Sequence, residues 1–240
     1  MDERTARAAV AATAQMMESA SLAESFGHVS ARWGDGFLIT STRPFSVADA
    51  DDVVRVDHSA APPSGGRNVP LETPMHAVLY LTRSDIGAVC RGHPPAVVAW
   101  GTGTGDLPLL HGLGALAGVT VPVHPDVDLI TTPRQAAALA ATLGSGSSLI
   151  LRANGCLAVG AGPLEALTRL YYLEERARVA LQRPPSEGEE IDWEDRIRHT
   201  EPELARAMAW VETTFAVTSR QFKPRDLTKH RRGAGSGDES

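Results

Sequence analysis

The chain has 240 residues, 42% hydrophobic and 22% charged, enough to bury a full core as one large domain or two small ones. Its net charge of -6 argues against nucleic acid as a partner, because phosphate contacts need a basic surface. The N-terminus is charged at once, without the apolar core of a signal peptide, and no stretch reaches the roughly 18 apolar residues that span a bilayer. Cys90 and Cys156 lie in apolar, strand-like runs, so no disulfide framework is implied and a reducing compartment fits. A cytoplasmic protein without nucleic-acid or membrane partners is expected.

Residues 3–20 carry Ala6, Val10, Ala14 and Met17 at helical spacing, and Gly27 is read as closing that stretch. HVSARW (28–33) and FLITS (37–41), joined at Gly34-Asp35-Gly36, predict a β-hairpin. A strand over 53–56 and a Pro/Gly/Ser-rich loop over 60–68 follow. Thr73 as N-cap and Pro74 in the first turn open a helix to Thr82, with Met75, Val78, Leu79 and Leu81 on its buried side. Next come a strand over 86–90, a helix opened by Pro94-Pro95, and short strands over 107–110 and 119–123. A helix over 133–143, strands over 148–151 and 156–159, and a long helix over 164–182 complete the core. Beyond Pro184-Pro185, residues 184–222 read as an amphipathic helical extension carrying Trp193, Ala207, Trp210, Val211 and Phe215. The polar residues 223–240, with Lys229-His230-Arg231-Arg232 among glycines and serines, read as a solvated, disordered tail.

Two strand ends carry the polar clusters best placed for chemistry, Arg91-Gly92-His93 and Arg152-Ala153-Asn154-Gly155. His93 precedes Pro94, which restrains its backbone, and reads either as a metal ligand or as an ordinary histidine. Arg91 alternates onto the same face if the strand persists; a cation there repels a metal but would hold an acidic substrate. Glu72, just before Pro74, can serve as a general base or simply interact with the helix N-terminus. His76 reads as a packed or hydrogen-bonded histidine, Asn154-Gly155 as a β-turn, and Arg43 as a surface arginine after a strand. No serine sits in a nucleophile elbow and no CxxC motif is present; Gly101–Gly105 follows a helix and is no dinucleotide fingerprint.

In order, GHVSAR (27–32), GFLIT (36–40), DADDVVRVD (49–57), Glu72 with His76, AVCRGHPPAV (88–97), Gly118–Pro122 and LRANGCLAVG (151–160) resemble the class II aldolase/adducin family over residues 5–183. The resemblance implies an α/β, three-layer αβα domain over 1–183 with a mostly antiparallel central sheet, followed by the helical extension. It also implies a homo-oligomer, commonly a tetramer with sites at subunit boundaries. In that family a His-x-His turn and a later histidine before glycine bind a divalent ion that polarises an enolate, and a glutamate handles protons. Here Glu72 matches the glutamate and His93 the second histidine, while Arg91 and Asn154 occupy the other two histidine positions. His93, with Glu72 and Asn154 as weaker donors, would form an oxygen-rich set for Mn²⁺, Mg²⁺, Zn²⁺ or Fe²⁺.

Thr42-Arg43 and Pro70-Leu71 replace the small phosphate donors of the sugar-phosphate aldolases, so Arg43 and Arg91 imply a carboxylate substrate, flat or aromatic. His28 and Asn154 are further expected substrate contacts, and His111 falls where the aldolases carry a tyrosine acid/base. The pattern resembles the family's decarboxylases of hydroxylated aromatic or heteroaromatic acids, with Glu72 or His111 delivering the proton. Three other readings stay open: retro-aldol cleavage of an unphosphorylated hydroxy-keto acid, an oxygenase or rearrangement enzyme of a biosynthetic pathway, and a non-catalytic binding or assembly module.

Overall fold

Asp2 accepts the Thr5 N–H and starts helix α1 (Glu3–Ser19), whose Ala6, Val10, Ala14 and Met17 are buried as the spacing predicts. The helix stops well before Gly27: the Ala20 N–H caps Met16, and Ser21 turns into positive φ. The computed structural model describes residues 2–23, 26–59, 69–103, 105–182, 193 and 197–221, with no side-chain detail for 217–221. The expected loop over 60–68, the Pro184-Pro185 break and the tail over 223–240 lie outside the described residues.

Strands β1 (His28–Trp33) and β2 (Gly36–Ile39) form the hairpin, and β3 (Val54–Asp57) pairs with β2. Strands β4 (Ala88–Gly92), β5 (Val123–His124), β6 (Ser148–Leu151) and β7 (Gly155–Gly160) complete a seven-stranded sheet in the order β3-β2-β1-β4-β7-β6-β5. Every pairing is antiparallel except β5 with β6. Side chains alternate across the sheet. Val29, Cys90 and Ala158 point into one core with α1, α3 (Pro95–Gly101) and α5 (Pro163–Gln182). Phe37, Val89 and Leu157 point into the other with α2 (Thr73–Thr82) and α4 (Pro133–Leu143). The result is the three-layer αβα arrangement. The extension contributes α6 (Thr200–Gln221), which lies on α1 and α5 and buries Leu204, Ala207 and Val211.

Two expected strands are absent. Residues 107–110 are irregular, and of 119–123 only Val123 pairs in the sheet. The buried Arg176 explains this: its guanidinium donates to the carbonyls of Leu107, Pro108, Gly114, Gly118 and Val119, so a side chain does what a ladder would. Pro108 and Pro122 have no N–H to offer a ladder in any case. On α2, Leu81 faces outward, 62% exposed, and Val78 is half-buried, because the buried side runs through Met75, His76, Leu79 and Tyr80. No helix among the described residues is long and apolar enough to cross a membrane.

Candidate active site

Glu72 occupies the N-cap position of α2, one residue earlier than predicted, and Thr73 donates its hydroxyl to the Pro70 carbonyl. The Glu72 carboxylate makes no capping hydrogen bond. Its Oε1 accepts the Ile130 N–H at 3.3 Å, and its Oε2 lies 3.3 Å from His28 Nε2 and 3.4 Å from Arg91 Nε. Burial works to raise its pKa. The His28 hydrogen bond, the Arg91 guanidinium and the Ile130 amide outweigh that and hold it at about 2.

His28 and Arg91 face each other directly across the β1–β4 pair, so alternation sends both side chains toward α2. His28 continues inward: its Nδ1 is 2.7 Å from His76 Nε2, His76 Nδ1 is 2.6 Å from Ser30 Oγ, and Ser30 Oγ is 2.7 Å from Tyr80 Oη. Burial lowers the pKa of both imidazoles, so both are neutral at pH 7. His76 is thus a hydrogen-bonded core histidine, as its spacing suggested. Sequence reading overlooked Ser30 and Tyr80. The signal was there: Ser30 alternates with His28 on one strand, and Tyr80 follows His76 by four on one helix.

The expected carboxylate clamp at Arg91 needs correction. Arg91 is fully buried, its Nη1 donates to the Gly92 carbonyl at 2.7 Å, and its Nη2 donates to the Asn154 carbonyl at 2.9 Å. Its two terminal nitrogens are engaged by main chain, and its Nε, 3.4 Å from Glu72 Oε2, makes an ion pair without a hydrogen bond, so the fully buried guanidinium is not among the residues that line the cavity. The turn between β6 and β7 makes room for this. Gly155 has φ +105°, and a Cβ there would stand 2.4 Å from the Gly92 carbonyl oxygen and 2.6 Å from Arg91 Nη1.

A cavity of about 610 Å³ opens over Glu72, lined also by His28, His93 and Asn154. Its walls are apolar, from Phe45, Pro44 and Pro70, with Phe26, Leu71 and Leu129 exposed at the mouth. Arg43 stands on the rim, its Nη1 donating to both Asp52 carboxylate oxygens at 2.6 and 2.8 Å. His93 is mostly buried, and burial, then the charge of Arg91, lower its pKa to about 4. Its Nδ1 is buried without a hydrogen-bond partner. The structure therefore gathers Glu72, His28, His93, Asn154 and Arg43 around one cavity. His111 is not among them: it precedes the 3₁₀ turn Gly112–Ala117, which packs on α5.

These residues cannot form the three-imidazole site of the family, because Arg91 and Asn154 stand at two of its positions, and they offer only the weak set of His93, Glu72 and Asn154 that the resemblance implied here. His93 and the Asn154 amide both line the cavity, and the third position holds the buried Arg91 guanidinium, a fixed positive charge. Glu72 is already engaged by Arg91 and His28, and the described residues contain no group of three His, Cys, Asp or Glu side chains arranged to hold an ion.

A sequence profile for the Class II Aldolase and Adducin N-terminal domain matches residues 8–181. The chain is 29% identical to a 3,4-dihydroxyphthalate decarboxylase of Arthrobacter keyseri, over 74% of its own length and 78% of the relative's. A protein of the same name from Rhodococcus jostii (strain RHA1) is 27% identical over 81% and 88% of the two chains. Among solved structures, an L-fuculose 1-phosphate aldolase superposes with a TM-score of 0.75 at 22% identity, covering 83% of this chain and 96% of that one.

Proposed function

Since the chain belongs to the class II aldolase and adducin family, we propose that it is a carbon–carbon lyase that removes CO2 from a hydroxylated aromatic or heteroaromatic acid. The observation that carries this reading is a buried carboxylate, Glu72, on the floor of an apolar cavity with a guanidinium, Arg43, on its rim. The decarboxylase names of the relatives support the same chemistry.

Arg43 binds a substrate carboxylate oxygen by a charge-assisted hydrogen bond, and the apolar walls take the ring. The hydroxyl beside the carboxylate lies toward Glu72 and His93. A bound anion and the loss of water raise the pKa of Glu72 from its resting value, which brings it into range for proton transfer. Glu72 takes the hydroxyl proton and hands it to the ring carbon that bears the carboxylate. That leaves a ring carbonyl, polarised by a hydrogen bond from the neutral His93. The carbon–carboxylate bond then breaks, its electron pair returns through the ring to that oxygen, and CO2 departs. A solvent proton on the resulting oxyanion completes the product. The net change is one proton taken up and one CO2 released per substrate anion.

CO2 release from a panel of hydroxybenzoates and hydroxyphthalates tests this. Glu72→Gln is expected to lower kcat at least about a hundredfold. Full activity in that variant, or aldehyde or pyruvate formed without CO2, would overturn the reading.

A further inference from the structure

Behind Glu72, four side chains form an unbroken line of hydrogen bonds: His28, His76, Ser30 and Tyr80, all 2% exposed or less. Each link can run in either direction when taken alone. The Glu72 end removes the freedom. Its carboxylate accepts the Ile130 N–H and lies against the Arg91 guanidinium, so it is an acceptor, and His28 must present Nε2–H to it. His28 Nδ1 is then a lone pair and must receive Nε2–H of His76. His76 Nδ1 is in turn a lone pair and must receive the Ser30 hydroxyl, whose oxygen is left to accept from Tyr80. The opposite direction sets an imidazole lone pair against a carboxylate oxygen at 3.3 Å. One direction satisfies every atom.

We propose that Tyr80, Ser30 and His76 are positioning residues that hold His28 in its Nε2–H tautomer, so that Glu72 rests oriented and deprotonated beneath the substrate. The consequence for catalysis rests on the functional reading above; the tautomer does not. The line ends at Tyr80, whose hydroxyl is buried and whose pKa burial raises, so it orients His28 rather than supplying protons. The neighbouring Arg32 is drawn into the same arrangement. Its guanidinium lies 5.0 Å from the centre of the Tyr80 ring and its Nη2 donates to the Tyr80 carbonyl, fixing the far end of the line.

The test uses the full chain labelled with ¹⁵N, with long-range ¹H–¹⁵N correlation spectra of its histidine rings at neutral pH. His28 and His76 should both appear as Nε2–H tautomers. His76→Leu removes the donor to His28 Nδ1; the 3.3 Å bond to Glu72 still favours Nε2–H, so a minority of Nδ1–H should appear beside it. His76→Gln keeps a donor at that place and should retain the native tautomer; Tyr80→Phe gives a milder form of the same lesion. With a turned-over acid, His76→Leu should lower kcat about tenfold with KM little changed, and His76→Gln should recover most of the loss. His28 found as Nδ1–H in the native chain overturns the proposal, as does an equal loss of kcat in the Leu and Gln variants with both folded. A native His28 Nε2–H tautomer in a chain that decarboxylates nothing overturns the functional reading alone.

Discussion

Arg91 carries its positive charge where the family pattern puts a histidine ligand, and its donors end on the carbonyls of Gly92 and Asn154 and beside the Glu72 carboxylate. A permanent cation thus does from below part of what an ion does from within: it keeps Glu72 ionised. Sequence spacing placed Arg91 and His93 correctly at one strand end. It could not tell whether the arginine met substrate or main chain, because that depends on the cross-strand pairing of His28 with Arg91 and on the path of the β6–β7 turn. Arg91→His combined with Asn154→His should retain about one equivalent of Zn²⁺ per chain after dialysis, measured by elemental analysis, and the parent should retain far less. Equal retention by the parent would mean that its own donors suffice.

Most elements were legible because their signals are local. Periodicity alone marks α1, and Gly34 turns the first hairpin; the caps at Asp2 and at Thr132, the latter reciprocally bonded with Gln135, reinforce α1 and α4. The strands expected over 107–110 and 119–123 failed for a non-local reason, since Arg176 reaches them from α5. The turn from β6 to β7 is where an element most directly holds the site. It passes Ala153 and Gly155 through positive φ and sets Asn154 against Arg91. Gly155→Ala should lower the unfolding free energy by about 1–3 kcal/mol from the backbone alone, more if the clash with the Gly92 carbonyl displaces the strand end. Urea unfolding measures it, and a loss of a few tenths would show that the turn relaxes freely.

Across the whole molecule, α6 lies on α1 and α5, on the face of the sheet away from α2. His28, His76 and Glu72 are buried together on the α2 side, with His93 beside them, and make the fold acid-sensitive in a definite direction. His28, His76 and His93 all have pKa values lowered from 6.5, chiefly by burial and in His93 to about 4. The unfolded chain therefore binds protons first, and stability present above pH 6.5 is lost as the pH falls toward 4. Glu72, lowered from 4.5 to about 2, adds stability present above pH 4.5 and lost as the pH falls through 2. Urea midpoints should decline steadily below pH 6.5, and a midpoint that rose between pH 6 and 4 would contradict these environments.

The carboxy-lyase assignment itself is tested most directly by turnover in D2O, with CO2 and the aromatic product measured together. Glu72 as a proton carrier between an exchangeable hydroxyl and carbon predicts one CO2 per product and deuterium at the carbon that lost the carboxylate. Cleavage to an aldehyde or pyruvate, oxygen uptake with turnover, or a product without deuterium at that carbon would contradict it.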